Sequence, residues 1–229
     1  IYLDGEHQNE RVFIGSDGMQ PCHIPFMLST ENIIKVHVDY AEIQNSTDHA
    51  LRTEDSVVHI NNSRIQNNKA ECAVECIDTT LHIANSLLKD NVEMNNAGPY
   101  YKYIYMTNST GRIRKVTIDC KQFNGGRSYV ETAIYLVHSS PLIERCHILD
   151  SWKDYKGAVA CYGSSPLVRN CEFTHNSRAV FSLSYMESGS SPHIINNTFI
   201  NNNEGIRLGG ETEAVIMNNR FKDIADGTG

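Results

Sequence analysis

Residues 190–199 read SSPHIINNTF, and residues 164–173 read SSPLVRNCEF. An Asn-bearing apolar stretch stands twice behind the same Ser-Ser-Pro, which makes internal repetition the first thing to test, because a true repeat fixes the architecture. The last apolar residue of each such stretch serves as an anchor. The anchors are Ile43, Ile65, Leu88, Phe123, Ile148, Phe173, Phe199 and Phe221, separated by 22, 23, 35, 25, 25, 26 and 22 residues. Seven positions before them stand Val36, Val58, Leu81, Val116, Pro141, Pro166, Pro192 and Ala214, so the phase is kept along the chain. After each anchor comes a polar turn and a second short apolar run: ALRTED, AVECID, YIYMTN, AIYLVH, AVACYG, AVFSLS, GIRLGG. Alternation inside these runs has the period of two that belongs to strands, and no helix-length apolar stripe occurs. Short strands joined by Asn/Gly/Ser turns and recurring in this way describe a solenoid whose coils stack in parallel, each advancing about 4.8 Å.

The pattern SSPxIxNNxFxxNxxGIxL resembles the right-handed parallel β-helix repeat of the pectate-lyase-like superfamily, over residues 26 to 224. The resemblance implies an all-β fold of about eight coils, with GIRLGG-type runs in a first sheet, PHIIN in a second and NTF in a third. It also implies an asparagine ladder at the turn between the last two sheets, for which Asn62, Asn85, Asn170, Asn197 and Asn219 are the matching positions. The chain carries no Asp-Pro-His-Glu segment of mannuronan epimerases, no paired-Asp pattern of polygalacturonases and no Lys/Arg arrangement of pectate lyases. Lyases, hydrolases, epimerases, adhesins and accessory proteins all share this fold, so it leaves the activity open.

Composition sets the bounds. With 229 residues, 40% hydrophobic, the chain can build a core, and it reads as one β-helix domain over residues 1–229. A net charge of −7 without any Lys/Arg run argues against a nucleic-acid partner, and no apolar run approaches the roughly 20 residues of a membrane span. Neither IYLDG nor ADGTG reads as a cap, so the solenoid ends are expected to meet a further chain or domain. Seven cysteines leave at least one thiol unpaired, which argues against a disulfide framework. Cys72 and Cys76 lack a second pair at zinc spacing and read as small buried apolar residues, and Cys146 and Cys171 share a column as an inward thiol stack. His37, His59 and His82 also share a column and are expected to stack outward from the second sheet, where a straight row cannot close a tetrahedral metal shell.

Functional candidates follow from the outward positions of the first sheet. One column reads Arg52, Glu75, Tyr105, Tyr135, Ala160, Phe181, Arg207; the next reads Glu54, Ile77, Thr107, Val137, Tyr162, Leu183, Gly209; the strand exits read Asp55, Asp78, Asn108, His138, Gly163, Ser184, Gly210. Three long turns, 89–102, 124–132 and 149–157, carry Tyr100, Tyr101, Tyr129, Trp152 and Tyr155, and are expected to wall a groove over Tyr105 and Tyr135 with His138 at its rim. Aromatic rings stack on sugar faces while carboxylates and Arg bind hydroxyls, so the face reads as a polysaccharide surface. Tyr105, Tyr135, Trp152, Phe181 and Arg52 are the candidate substrate contacts. Asp55 with Asp78 and Glu54 with Glu75 have three readings: an acid/base pair, a shared cation such as Ca²⁺, or solvated surface acids. Stacked carboxyls about 5 Å apart suit a retaining glycosidase. The expected function is polysaccharide processing, as a lyase or glycoside hydrolase using Asp55, Asp78, Glu54, Glu75 and His138, in an extracellular, periplasmic or cell-surface setting. The alternative is a non-catalytic carbohydrate-binding, adhesion or structural module.

Overall fold

A computed structural model describes residues 2–3, 11–15, 22–24, 28–30, 35–46, 49–68, 72–91, 101–121, 130–151, 156–185 and 188–225. Among the described residues, twenty-seven short strands form three parallel sheets of nine strands each, and every third strand along the chain returns to the same sheet. The first sheet runs through His49–Glu54, Cys72–Ile77, Tyr101–Thr107, Val130–Val137, Val159–Tyr162, Arg178–Leu183 and Glu204–Gly209. The second includes Val57–Asn61, Thr80–Ala84 and Thr110–Arg114, and the third Arg64–Gln66, Leu87–Lys89 and Thr117–Asp119. The expected solenoid of about eight coils is present, with the strands of residues 2–24 adding one more at the start.

Inward positions form apolar stacks, one residue per coil. Ile43, Ile65, Leu88, Ile118, Ile148, Phe173 and Phe199 are all buried, and the rings of Phe173, Phe199 and Phe221 lie parallel at 5.1 and 4.8 Å. Register places Ile118 beside Leu88 and Ile148, so Ile118 is the anchor of its coil in place of Phe123, which lies outside the described residues. The single long step of 35 residues therefore becomes two of 30, at Leu88 to Ile118 and Ile118 to Ile148. Val116 likewise gives way to Gly111, which pairs with Leu81. Gly111 has φ of 127°, and a Cβ there would stand 1.9 Å from the Leu81 carbonyl oxygen, so only glycine fits. Val74, Ile134 and Val180 are fully buried. Ile206 is only partly buried, and Ile216 and Phe221 are 44% and 49% exposed, because no described coil stacks on theirs.

Most of the described corners are turned by one device, Val116 after Lys115 and Cys120 after Asp119 being among the exceptions. A residue with positive φ ends the strand, and the following residues include one whose polar side chain turns inward and accepts a hydrogen bond from the backbone N–H of the preceding coil. Between the first and second sheets this row is Thr79, Ser109, Ser139, Ser164 and Ser190; the N–H groups of Thr79, Ser109, Ser139 and Ser164 donate to the next hydroxyl at 3.0, 2.9, 3.0 and 3.1 Å. Between the third and first sheets, Ser46 N–H donates to Asn68 Oδ1 and Asn68 N–H to Asn91 Oδ1 at 2.9 and 3.1 Å, and Ser151 and Asn176 repeat the pattern with Asn176 and Asn202. Between the second and third, Cys146 N–H donates to Cys171 Sγ, Cys171 N–H to Asn197 Oδ1 and Asn197 N–H to Asn219 Oδ1. The expected ladder thus divides. Asn197 and Asn219 are rungs, whereas Asn62, Asn85 and Asn170 occupy the positive-φ position beside them. Cys146 and Cys171 are free thiols serving as rungs.

The outer face of the second sheet carries the expected histidine stack, with centroids of His37, His59 and His82 at 4.7 and 4.8 Å. Beyond it, Glu144 receives Arg169 Nε and Nη2 at 3.1 and 2.8 Å on one oxygen, and Arg112 Nε at 2.8 Å on the other, with Arg114 Nε at 3.3 Å. Only 5% of its side chain meets solvent, because three guanidiniums cover it from outside.

Two predictions follow from the corners and this cluster. Asn197→Ala removes the acceptor for Cys171 N–H and the donor to Val168 O, both buried, and is expected to cost about 3 kcal/mol in urea unfolding. Asn170→Ala loses only the preference of Asn for its backbone conformation and is expected to cost about 1 kcal/mol; equal costs would contradict the division of the ladder. Burial works to raise the Glu144 carboxyl, but hydrogen bonds from Arg112 and Arg169 outweigh it and hold the group below the usual carboxylate range. Its stabilisation is therefore complete above the ordinary Glu value, about pH 4.3, and is lost as pH falls further through the folded-state value. Melting curves of Glu144→Gln are expected to lack that part of the wild-type acid sensitivity.

Candidate functional site

The outward columns of the first sheet follow the predicted order: Arg52, Glu75, Tyr105, Tyr135, Ala160, Phe181 and Arg207 are register partners on successive coils. Glu54, Ile77, Thr107, Val137, Tyr162, Leu183 and Gly209 form the adjacent column. Parallel stacking brings these side chains within contact range, and in mid-solenoid they merge into an aromatic strip. Tyr105 meets Tyr135 edge-on at 5.5 Å, Tyr162 stacks on Tyr135 at 5.1 Å, and Phe181 meets Tyr162 at 5.8 Å. Tyr185 extends the strip toward Tyr162 and His138, at 6.1 and 5.7 Å. Ala160, an outward position, is fully covered.

Cations sit on this strip. Lys102 Nζ lies 5.1 Å from the Tyr105 ring centre and 5.3 Å from that of Tyr135, and Lys156 Nζ lies 4.8 Å from Tyr135. Arg178, 6% exposed, lies 5.2 Å from the Phe181 ring and holds Glu204 at 2.6 Å. Hydrogen bonding from Arg178 lowers the Glu204 pKa from its ordinary range. The two lysines escaped the sequence reading because they stand on the long turns or at their edge. Their signal was proximity in register: Lys102 pairs with Thr132 and Cys72, at the strand entry.

The candidate acids are dispersed. Glu75 is held by Arg52 Nε at 3.2 Å and His49 Nε2 at 3.1 Å, with 14% of its side chain exposed. Glu54 stands in the other column, beside Ile77, and so is not stacked on Glu75. Asp55, Asp78, Asn108 and His138 occupy successive strand exits with φ of 49, 48, 49 and 47°, a conformation that Asp, Asn and His adopt more readily than other side chains. The corner alone accounts for aspartate at 55 and 78. Among the described residues no group of three or more His, Cys, Asp or Glu side chains could hold a metal ion.

Of the expected walls, residues 92–100, 122–129 and 152–155 lie outside the described residues, and with them Tyr100, Tyr129, Trp152, Tyr155 and the groove they were to enclose. Tyr101 is no wall residue. It is 1% exposed and packs edge-on against Tyr103 at 5.4 Å, after a register shift that turns it into the core. Burial pushes both phenols well above their ordinary range. Burial also raises the Cys72 thiol and pushes Cys76 and Cys161 up to about 12, so these inward thiols are poor nucleophiles.

The sequence profile described as "Right handed beta helix region" matches residues 98–229, more than half of the chain. The chain belongs to the right-handed β-helix family. No curated protein and no solved structure matches it. The right-handed β-helix described above contains no helix long and apolar enough to cross a membrane among its described residues.

Proposed function

We propose that this β-helix engages a polysaccharide along the outer face of its first sheet, with Tyr105, Tyr135, Tyr162 and Phe181 as the stacking platform. The observation that carries this reading is the continuity of the strip: four aromatic side chains on four coils, with Lys102 and Lys156 over Tyr135. Sugar rings present apolar faces to such a platform and hydroxyls or carboxylates to the flanking cations. Arg52 and Trp152 stand as further contacts in this proposal. A protein with such a ligand works outside the cytoplasm, in an extracellular, periplasmic or cell-surface setting.

Binding is the part that the geometry supports best. The catalytic reading, as a lyase or glycoside hydrolase, is favoured by His138, which stands beside Tyr185 at the rim of the strip, two coils from Asp78 along the same row of corners. Asp78 and His138 are the proposed acid and base, with Asp55 and Glu54 nearby and Glu75 kept in place by Arg52 and His49.

A panel of neutral and acidic polysaccharides, assayed for binding and for new reducing ends or unsaturated products, tests both. Tyr135→Ala is expected to weaken binding about tenfold, the worth of one stacked ring. Loss of product with retained binding in Asp78→Asn or His138→Ala supports catalysis. Binding without product supports the adhesion or structural module, and absence of binding by the intact chain would defeat the proposal.

A further inference from the structure

The corner between the second and third sheets carries Tyr40, Asn62, Asn85, Lys115, Arg145, Asn170, Asn196 and Asn218 on successive coils, all with φ between 48 and 56°. Asparagine suits this left-handed conformation because its short amide bonds locally, whereas a long side chain there is disfavoured. Of the 19 non-glycine residues with positive φ among the described residues, nine are Asn, five Asp and two His, which leaves Tyr40, Lys115 and Arg145 as exceptions. Two of the three exceptions are cations on consecutive coils. Their charge answers no need of the corner itself.

Their surroundings supply a reason. Arg112 and Arg114 stand on the coil of Lys115, Glu144 on that of Arg145, and Arg169 on the next. Glu144 can neutralise one of the three guanidiniums gathered on it, and Lys115 and Arg145 add two further cations on the adjoining corner of a chain of net charge −7. The side chains of Arg112, Arg114 and Arg169 are 42%, 37% and 41% exposed. Lys115 and Arg145 are exposed, and neither forms an ion pair among the described residues. From Arg145 an open groove of about 470 Å³ continues along the same corner past His147, Asn170, Asn196 and Thr198. Its one acid, Glu172, stands 3.4 Å from His147 Nε2.

We propose that this corner is a binding site for an anionic polysaccharide, sulfated or carboxylated, that lies along the solenoid axis. Lys115 and Arg145 contact its oxyanions, and Asn170 and Asn196 its hydroxyls. Donors repeat at the coil spacing of about 4.8 Å, which suits an extended polymer with regularly spaced acceptors. The groove lacks the aromatic and aliphatic anchors that carry protein interfaces. Cations on three coils, on a chain otherwise acidic, fit a single narrow polyanion better than a duplex nucleic acid. The site lies on a different face from the aromatic strip and does not rest on the reading of that strip.

The corner's own preference supplies the test. Lys115→Asn with Arg145→Asn removes both charges while installing the residue that the conformation favours, so folding is expected to be unchanged or improved in a thermal melt. Dextran sulfate, titrated calorimetrically into the intact chain, is expected to bind more tightly than uncharged dextran and to weaken as salt rises. The double variant is expected to lose about tenfold or more for each contact removed. Equal binding by variant and wild type, or no preference for dextran sulfate over dextran, would overturn the proposal. So would a double variant that melts several degrees lower, because the cations would then serve the fold. Tighter binding of polyglutamate or duplex DNA than of dextran sulfate would overturn the polysaccharide and assign the corner to another class of partner.

Discussion

A backbone N–H at a corner, donating to a side-chain oxygen or sulfur one coil further on, is the interaction on which the rest of this β-helix depends. Strands of two to eight residues satisfy their own backbones by parallel pairing, but three corners in every coil interrupt that pairing. Buried N–H groups left there without acceptors would each cost about 1–3 kcal/mol. The serine row, the two asparagine rows and the Cys146–Cys171 pair supply the acceptors from within the solenoid. Many of these side chains also bond carbonyls, as Asn176 Nδ2 does to Ile148 O at 3.1 Å, and thereby fix the phase of each coil against its neighbour. Phase, once fixed, aligns everything else. The Phe173–Phe199–Phe221 stack inside and the Tyr105–Tyr135–Tyr162 strip outside are both consequences of one residue per coil standing above another.

The outer columns of the first sheet were legible in the sequence because two periodicities, alternation within a strand and the coil repeat, place every residue. The corners were less legible because two kinds of residue adjoin there and both favour asparagine: Asn196 has positive φ, Asn197 is a rung. Sequence alone spread the ladder over both positions. The serine row was missed, although Ser or Thr stands one residue after each of the first five strand exits, at 56, 79, 109, 139 and 164, because serine in a turn has many explanations. Phe123 competed with Ile118 as an anchor since both follow an apolar-x-apolar pattern, and only pairing with Leu88 and Ile148 decides between them. Tyr101 looked like part of a turn, but a register shift sends it inward.

Function was harder to read for a related reason. Aspartate, asparagine and histidine are chemical residues and also corner residues, so their presence at 55, 78, 108 and 138 carries less functional information than the same residues would carry in mid-strand. Lysine and arginine are not corner residues. Side chains that the fold does not explain, such as Lys115, Arg145 and the lysines beside Tyr135, are therefore more informative than the carboxylates that first drew notice.

Amide hydrogen exchange tests the central claim most directly. The N–H groups of Ser109, Ser139, Cys171 and Asn176 lie at corners and bond only to side chains of the next coil. If those side chains hold the coils in phase, these amides exchange as slowly as strand amides such as those of Ile113 and Val168. Exchange at the rate of ordinary surface turns, with the strands protected, would show that the corners follow the sheets and do not set their register.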